Sequence, residues 1–465
     1  MSPTIDLKEV QGLVVRGFGN LKEARFFLLG IDDRDRAGRR LSEMADAVTS
    51  AAMRPDRYAI NVAFTAAGLR ALGLPSDAVA GFSFEFRDGM VSEHRTRILG
   101  DVGDSSPEKW QWGGPTQRAV DVLVMLYAVD REALEEGRSI LDLEQSGVSI
   151  VKELDTSHLT DREHFGFHDG ISQPAIEGSG RAGSPENTIK GGEFLLGYEN
   201  EYGRYADRPT VDRSSDPAGI LPDVPGARGR ADLGKNGTYL VFRQLAQDVP
   251  GFWGRMEERS AGLDGTLDRE ALAAKMVGRW PSGAPLVGAP DRDDPTMGDA
   301  NDFGYHHEDP HGLRCPKGSH IRRTHPRDSL DPDPGTDASI AVGKRHRIAR
   351  RGRQYGELIR PEQAVGSAND DEERGLHFIC LNANIARQFE FIQHTWMNNP
   401  KFDGLYEDTD PVVTSRGGNV GTFTMPATPV RVRVTGLPSF VTVRGGAYFF
   451  LPGISAIRYL GALDQ

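Results

Sequence analysis

Residues 24–31 read Ala-Arg-Phe-Phe-Leu-Leu-Gly-Ile, a short apolar run of the kind a buried strand presents. Leu41, Met44, Ala45 and Val48 then recur at helical spacing, and Pro55 closes that helix. Tyr58, Ile60, Val62 and Phe64 alternate as in a half-buried strand, and Thr65 can cap a short helix through Leu72. After an irregular insertion at 80–114 come a strand (120–129), a helix (130–145, with Leu134, Ile140 and Leu141 inward) and a strand (147–154). The order β-α-β, β-α-β is that of a ferredoxin-like unit with an antiparallel sheet, an α+β fold.

Further along, residues 179–234 are loop-like and long for slack, which points to a functional wall or a connector. Asn236-Gly237 introduces a strand at 238–245, and 268–277 reads as a helix. Residues 282–366 are again insertion-rich. A strand at 375–381, a helix at 384–397 with Ile385, Phe389, Ile392 and Trp396 on one stripe, and a strand at 447–451 follow. This half loosely repeats the first, with its second and third strands hard to place. The expected units are 1–200 and 236–465, joined by a connector at 201–235.

The 465 residues carry a formal net charge of −12 and only two cysteines, Cys315 and Cys380. An acidic chain repels phosphate backbones and anionic membranes, so neither nucleic acid nor membrane is an expected partner. No apolar run approaches the roughly 20 residues that span a bilayer. The opening Met-Ser-Pro-Thr-Ile-Asp-Leu-Lys-Glu shows neither a Sec nor a twin-arginine signal, and so few cysteines argue against a disulfide framework. A cytoplasmic protein is expected, with export by association and a homo-oligomer left open. Basic charge is concentrated locally, in Arg322, Arg323, Arg327, Lys344, Arg345, Arg347, Arg350, Arg351 and Arg353. Such a cluster is either a solvated face or an anion pocket suited to carboxylates.

Three strings carry the chemistry. Phe165-Gly-Phe-His-Asp169-Gly-Ile-Ser-Gln-Pro174 sets one carboxylate between two glycines and ahead of a proline, a rigid turn. Alone, such a turn is more often an Asp capping its own backbone. Cys315-Pro-Lys-Gly-Ser-His320-Ile-Arg-Arg-Thr-His-Pro-Arg327 offers an imidazole with small residues before it and arginines after it. Arg347-Ile-Ala-Arg350-Arg351-Gly-Arg-Gln-Tyr-Gly356 supplies fixed guanidiniums.

In this order the three strings resemble the dye-decolourising peroxidases, a haem enzyme family. The likeness runs through most of the chain, including Asp101-Val-Gly-Asp104, Trp110-Gln-Trp112-Gly-Gly and Gly192-Glu-Phe-Leu-Leu-Gly-Tyr198, and looks nearest to the longer bacterial branch. It implies two ferredoxin-like halves, with haem b held mainly by the second. By position, His320 would be the axial iron ligand, and Asp169 and Arg350 the distal pair. Ile171 and Ser172, just past the aspartate, and Leu376 and Phe378, two apart on one strand, would line the cofactor, and Arg323 would meet a propionate. The substrates implied are hydrogen peroxide and bulky aromatic reductants such as anthraquinone or azo dyes and phenols.

The residue types suit that chemistry. Peroxide heterolysis needs a proton moved from one oxygen to the other and the departing hydroxide stabilised. A carboxylate can do the first if it is ionised, and a guanidinium the second. A base with a carboxylate pKa predicts an acid-side optimum. His168, beside Asp169, reads as outward-facing or a minor modulator. An axial imidazole gains from a carboxylate on its other N–H, and Glu390, in an apolar setting, is the expected partner. Trp110, Trp112, Trp253, Trp280, Trp396 and Tyr355 could relay electrons, although most such residues are core aromatics. Two other readings stand beside the enzyme. One is a haem-handling protein with incidental peroxidase activity. The other is a metal hydrolase built on His306-His307-Glu308-Asp309-Pro310-His311, which lacks helical His spacing.

Overall fold

A computed structural model describes residues 4–263, 267–365 and 372–463; the last residue of the 282–366 insertion lies outside them. Nine strands form the main sheet: β1 (Glu23–Ile31), β2 (Tyr58–Phe64), β3 (Val122–Ala128), β4 (Val148–Asp155), β5 (Thr238–Gln247), β6 (Ala349–Arg350), β7 (Arg353–Tyr355), β8 (Gly375–Asn382) and β9 (Val441–Leu451). The sheet order is β6-β8-β5-β9-β2-β3-β1-β4, with β7 also paired to β8. Each set of strands therefore runs second, third, first, fourth. The hard-to-place second strand of the later half is the broken pair β6 and β7, and its third is β8. The two ferredoxin-like halves join where Phe450 of β9 pairs with Phe64 of β2.

Helices begin where a short polar side chain can take the first free N–H groups. Asp33 accepts from Arg36, Thr65 from Gly68, Asp130 from Ala133 and Asp268 from Ala271. They open the helices Arg34–Met44, Ala66–Ala71, Arg131–Leu141 and Arg269–Val277. A helix at Val249–Ala261 was not legible, because Pro250, Gly251 and Gly254 read as breakers. Proline is tolerated in a first turn, and Asp248 caps it. The 80–114 insertion holds the helices Phe84–Asp88 and Glu93–Leu99, too short to show periodicity. β9 starts earlier than expected because Gly445 and Gly446, at a register shift, interrupt its alternation.

The sheet is rolled. The Phe26 ring of β1 lies 5.8 Å from that of Phe242 on β5, four strands away, where a flat sheet would separate them by about 19 Å. Beyond β4, Ser157 N–H donates to Gln354 O of β7 at 2.8 Å, so the outermost strands nearly meet. One core, with Phe26, Leu28, Met125, Phe242, Ile379 and Phe449, fills the inside of the roll. A second packs the helices Arg34–Met44, Arg131–Leu141 and Ile454–Gly461 on the outside. On that outer side, the segments Ala386–Glu390 and Ile392–Met397 wind with π-type turns, and the stripe Ile385, Phe389, Ile392 and Trp396 is buried as expected.

Candidate active site

The aspartate turn is pinned before it reaches Asp169. The Glu163 carboxylate accepts the N–H groups of Phe165 (2.9 Å) and Phe167 (3.0 Å) and Nε2 of Gln247 (2.8 Å). Phe165 and Phe167 are buried against Phe252 and Trp253, and Trp253 Nε1 donates to Phe165 O. Gly166 and Gly170 adopt φ of 95° and 88°, the left-handed region that the turn requires. Asp169 N–H donates to Asp161 O at 3.0 Å.

Asp169 Oδ1 then takes the Gly170 N–H and Nη1 of Arg350, each at 2.6 Å. Burial alone would raise the Asp169 pKa. The Arg350 charge and hydrogen bond, with the Gly170 N–H, outweigh it and hold the carboxyl below its ordinary value. Arg350 ends β6, where its neighbour Ala349 packs inside the roll. Alternation therefore puts Arg350 on the outer face, and its N–H donates to Gln173 Oε1 at 3.0 Å. His168 bonds only weakly, Nδ1 to Ser282 O at 3.3 Å.

His320 opens the helix His320–Thr324. Its Nδ1 lies 2.8 Å from Asp410 Oδ2, and the other Asp410 oxygen accepts the N–H groups of Val412 and Val413. Burial pushes the imidazole pKa down, but Asp410 overrides it and the net shift is upward. Asp410 itself is held low despite its burial, chiefly by His320. With Nδ1 committed, Nε2 has no protein partner among the described residues. The partner expected from sequence was Glu390, and this is corrected: Glu390 takes Arg95 at 2.6 Å and the Tyr448 hydroxyl at 2.8 Å. An apolar flank signals a buried carboxylate but not its partner. Asp410, ninety residues from His320, carried no signal of its own.

The two pairs lie within electrostatic reach of each other. His320 and Asp169 each feel the other's charge, and His320 also feels Arg350, with no hydrogen bond between the pairs among the described residues. Asp169, Arg350 and His320 keep 41, 34 and 29 % of their side-chain surface open, although burial dominates the electrostatics of Asp169 and His320. Groups that are deep yet uncovered border an internal recess. Leu376 and Phe378 of β8 are half-buried on the same outer face as Arg350, and the Phe378 ring lies 6.2 Å from Phe389. Ile171 and Ser172 are half-buried past the aspartate, with Ser172 Oγ 3.2 Å from His325 Nδ1.

Arg323 does not reach the recess. It is fully buried, and its guanidinium donates to the carbonyls of Gly318, Trp396, Asn399 and Asp408, which overturns its expected propionate role. Arg347 is the better placed group. It donates to His325 Nε2 (2.8 Å) and Ser172 O (3.3 Å), and burial with the charges of Arg327 and Arg350 pulls its pKa to about 9. His325 is held well below its ordinary pKa, first by burial and then by four arginines. No carboxylate forms an ion pair with Arg279, Arg327 or Arg347 among the described residues. A cofactor bearing carboxylates and an axial site for imidazole fits this donor set: Nε2 of His320 on one side, unmatched guanidiniums at the edge.

The remaining sequence candidates lie away from these two pairs. No three metal-ligating side chains converge among the described residues, so 306–311 forms no metal centre there; Asp309 is instead paired with Arg322. Trp110, Trp112, Trp253, Trp280, Trp396 and Tyr355 are all buried. Cys315 and Cys380 are free and buried.

No protein-family model matches the sequence. Individual proteins do. A dye-decolorizing peroxidase of Mycena epipterygia is 30% identical over 99% of this chain and 88% of its own length. The multifunctional dye peroxidase DyP2 of an Amycolatopsis species is 30% identical over 96% and 91%. Among solved structures, the fungal DyP-type peroxidase from Auricularia auricula-judae superposes with a TM-score of 0.79 at 26% identity, covering 99% of this chain and all of that one. The chain belongs to the dye-decolourising peroxidase family, whose members are haem enzymes. Both fungal and bacterial proteins are among its relatives. No described helix is long and apolar enough to cross a membrane.

Proposed function

We propose that this chain is a haem b peroxidase, one that reduces hydrogen peroxide and oxidises bulky aromatic reductants at acid pH. Haem, when bound, supplies a redox-active iron for the two-electron reduction of peroxide. His320 would hold that iron through Nε2. Asp410 keeps the proton on Nδ1 and makes the imidazole a stronger donor. Arg347, backed by the neutral His325, would meet the cofactor's carboxylates, with Ile171, Ser172, Leu376 and Phe378 against its faces. Asp169, kept ionised by Arg350, takes the proton from one peroxide oxygen and returns it to the other. Arg350 stabilises the negative charge that grows on the departing oxygen. The division into 1–200 and 236–465 would then be functional: the first unit supplies Asp169, the second Arg350 and His320. A cytoplasmic location is proposed with it.

The electrostatic reach between the Asp169–Arg350 and His320–Asp410 pairs carries this reading. The test is stopped-flow mixing of haem-loaded protein with hydrogen peroxide, for wild type, Asp169→Asn and His320→Ala. A millisecond Soret change in wild type, slowed in Asp169→Asn and lost with the haem in His320→Ala, is expected. A wild type that binds haem but ignores peroxide would instead make it a haem-handling protein.

A further inference from the structure

Arg345 belongs to the same basic string as Arg347 and Arg350 and is half-buried. Its guanidinium carbon lies 4.3 Å from the centroid of the Tyr202 ring, and that of Arg387 lies 5.4 Å away. The two arginines differ in charge balance. Arg387 is paired with Glu193 at 2.6 Å, while Arg345 has no carboxylate partner among the described residues. Arg345 Nε is buried without any hydrogen-bond partner. Tyr202 is 51 % exposed, so a large part of its ring remains open. Lys344, whose Nζ donates to Pro185 O, and the exposed Arg204 add positive charge with no ion pair of their own among the described residues. Of the acids in this stretch, Glu193 is taken by Arg387, Glu201 is engaged by the Lys190 N–H, and Glu199 is exposed.

We infer that Tyr202 and Arg345 form a docking site for planar aromatic anions, such as arylsulfonates and arylcarboxylates. An aromatic ring stacks on the open part of Tyr202, and the anionic group takes the unused N–H donors of Arg345, which have a fork geometry suited to oxyanions. In a chain of net charge −12, an unpaired cation beside an exposed ring is a local exception, and it selects anions from their neutral analogues. The site is near the recess, because Arg345 is two residues from Arg347 and Gln388 Nε2, next to Arg387, donates to Arg347 O at 2.6 Å. This deepens the proposed function, on which it rests, by giving the bulky reductant a place to dock outside the recess.

The test uses haem-loaded protein without peroxide, titrated with the redox-inert 2-naphthalenesulfonate and with uncharged 2-naphthalenemethanol by calorimetry. Saturable sulfonate binding is expected, tighter than that of the alcohol and weakened by salt. Arg345→Gln and Tyr202→Ser should each lower it roughly three- to tenfold, and exposed Tyr406→Ser should not. In turnover, KM for a sulfonated dye should rise in the same two variants, with KM for peroxide unchanged. Equal affinity for the alcohol, or sulfonate binding untouched by both substitutions, would overturn the inference. Absence of turnover in wild type would count against the peroxidase reading alone, since the binding arm does not depend on it.

Discussion

Asp410 holds His320 by Oδ2 at 2.8 Å, while its Oδ1 is held by two backbone N–H groups at 3.0 Å each. All three partners are donors, so the site needs two acceptor oxygens. Asparagine has one, and its amide N–H groups would then meet either the imidazole N–H or the backbone. Asp410→Asn is expected to weaken haem retention on the order of 10–100-fold, measured by haem transfer to apomyoglobin. Glu390→Gln is the contrast: it should leave haem transfer unchanged and cost about 1–3 kcal/mol in denaturant unfolding, because buried Arg95 loses the nearest of its charged partners, with Asp88 and Glu85 remaining.

Asp169 is expected to act as a base to a lower pH than an ordinary aspartate. Its pKa is depressed, so the ionised form persists below about 3.9 and is lost only as pH falls through the folded value. Asp169→Asn should slow the peroxide reaction roughly 10²–10⁴-fold with haem content intact. Arg350→Leu should move the acid limb of the peroxide rate to higher pH, because it removes the charge that depresses Asp169. An unmoved limb would mean that Arg350 does not set that pKa.

Glu163 offers a stability test of the turn. Burial pushes its carboxyl up to about 7, against the opposing pull of its three donors. A raised folded pKa means that the folded state binds the extra proton. This contribution is fully present below the unfolded value near 4.5 and lost as pH rises to about 7. Wild type should therefore lose on the order of 2 kcal/mol relative to Glu163→Gln between pH 4.5 and 7. Chemical denaturation across that range checks it.

The two buried arginines should separate by phenotype. Arg323→Met removes the Arg323 donor from four carbonyls and is expected to cost about 3 kcal/mol or more of stability. Arg347→Met should instead show itself in faster haem loss. Equal haem loss from both variants would place Arg323 in the cofactor site after all.

The first half of the fold was legible because its strands show as an apolar run at 24–31 or as the alternation of 58–64, and its main helices open on visible caps such as Asp130 or Thr65. The second half hid behind local exceptions: a proline and glycines inside Val249–Ala261, a strand split at Arg351-Gly352, and glycines in β9. In the site, Asp169, Arg350 and His320 were readable as motif residues; the first two are joined by a hydrogen bond, and His320 lies within reach of their charges. Asp410 and Arg347 were not, since the choice of which carboxylate or guanidinium reaches a recess is made by tertiary packing. Arg323 and Arg347 sit in equally basic strings, and only the carbonyls around the first distinguish them.

The near-closure of the rolled sheet has a consequence for handling the protein in pieces. Intact, it presents almost no free strand for another chain to pair with. Cleavage within residues 201–235 followed by separation would bare β2 on one fragment and β9 on the other, together with the apolar lining of the roll. Such fragments should not persist as soluble monomers; they should reassociate with each other or aggregate, and a nicked chain should elute as a single species.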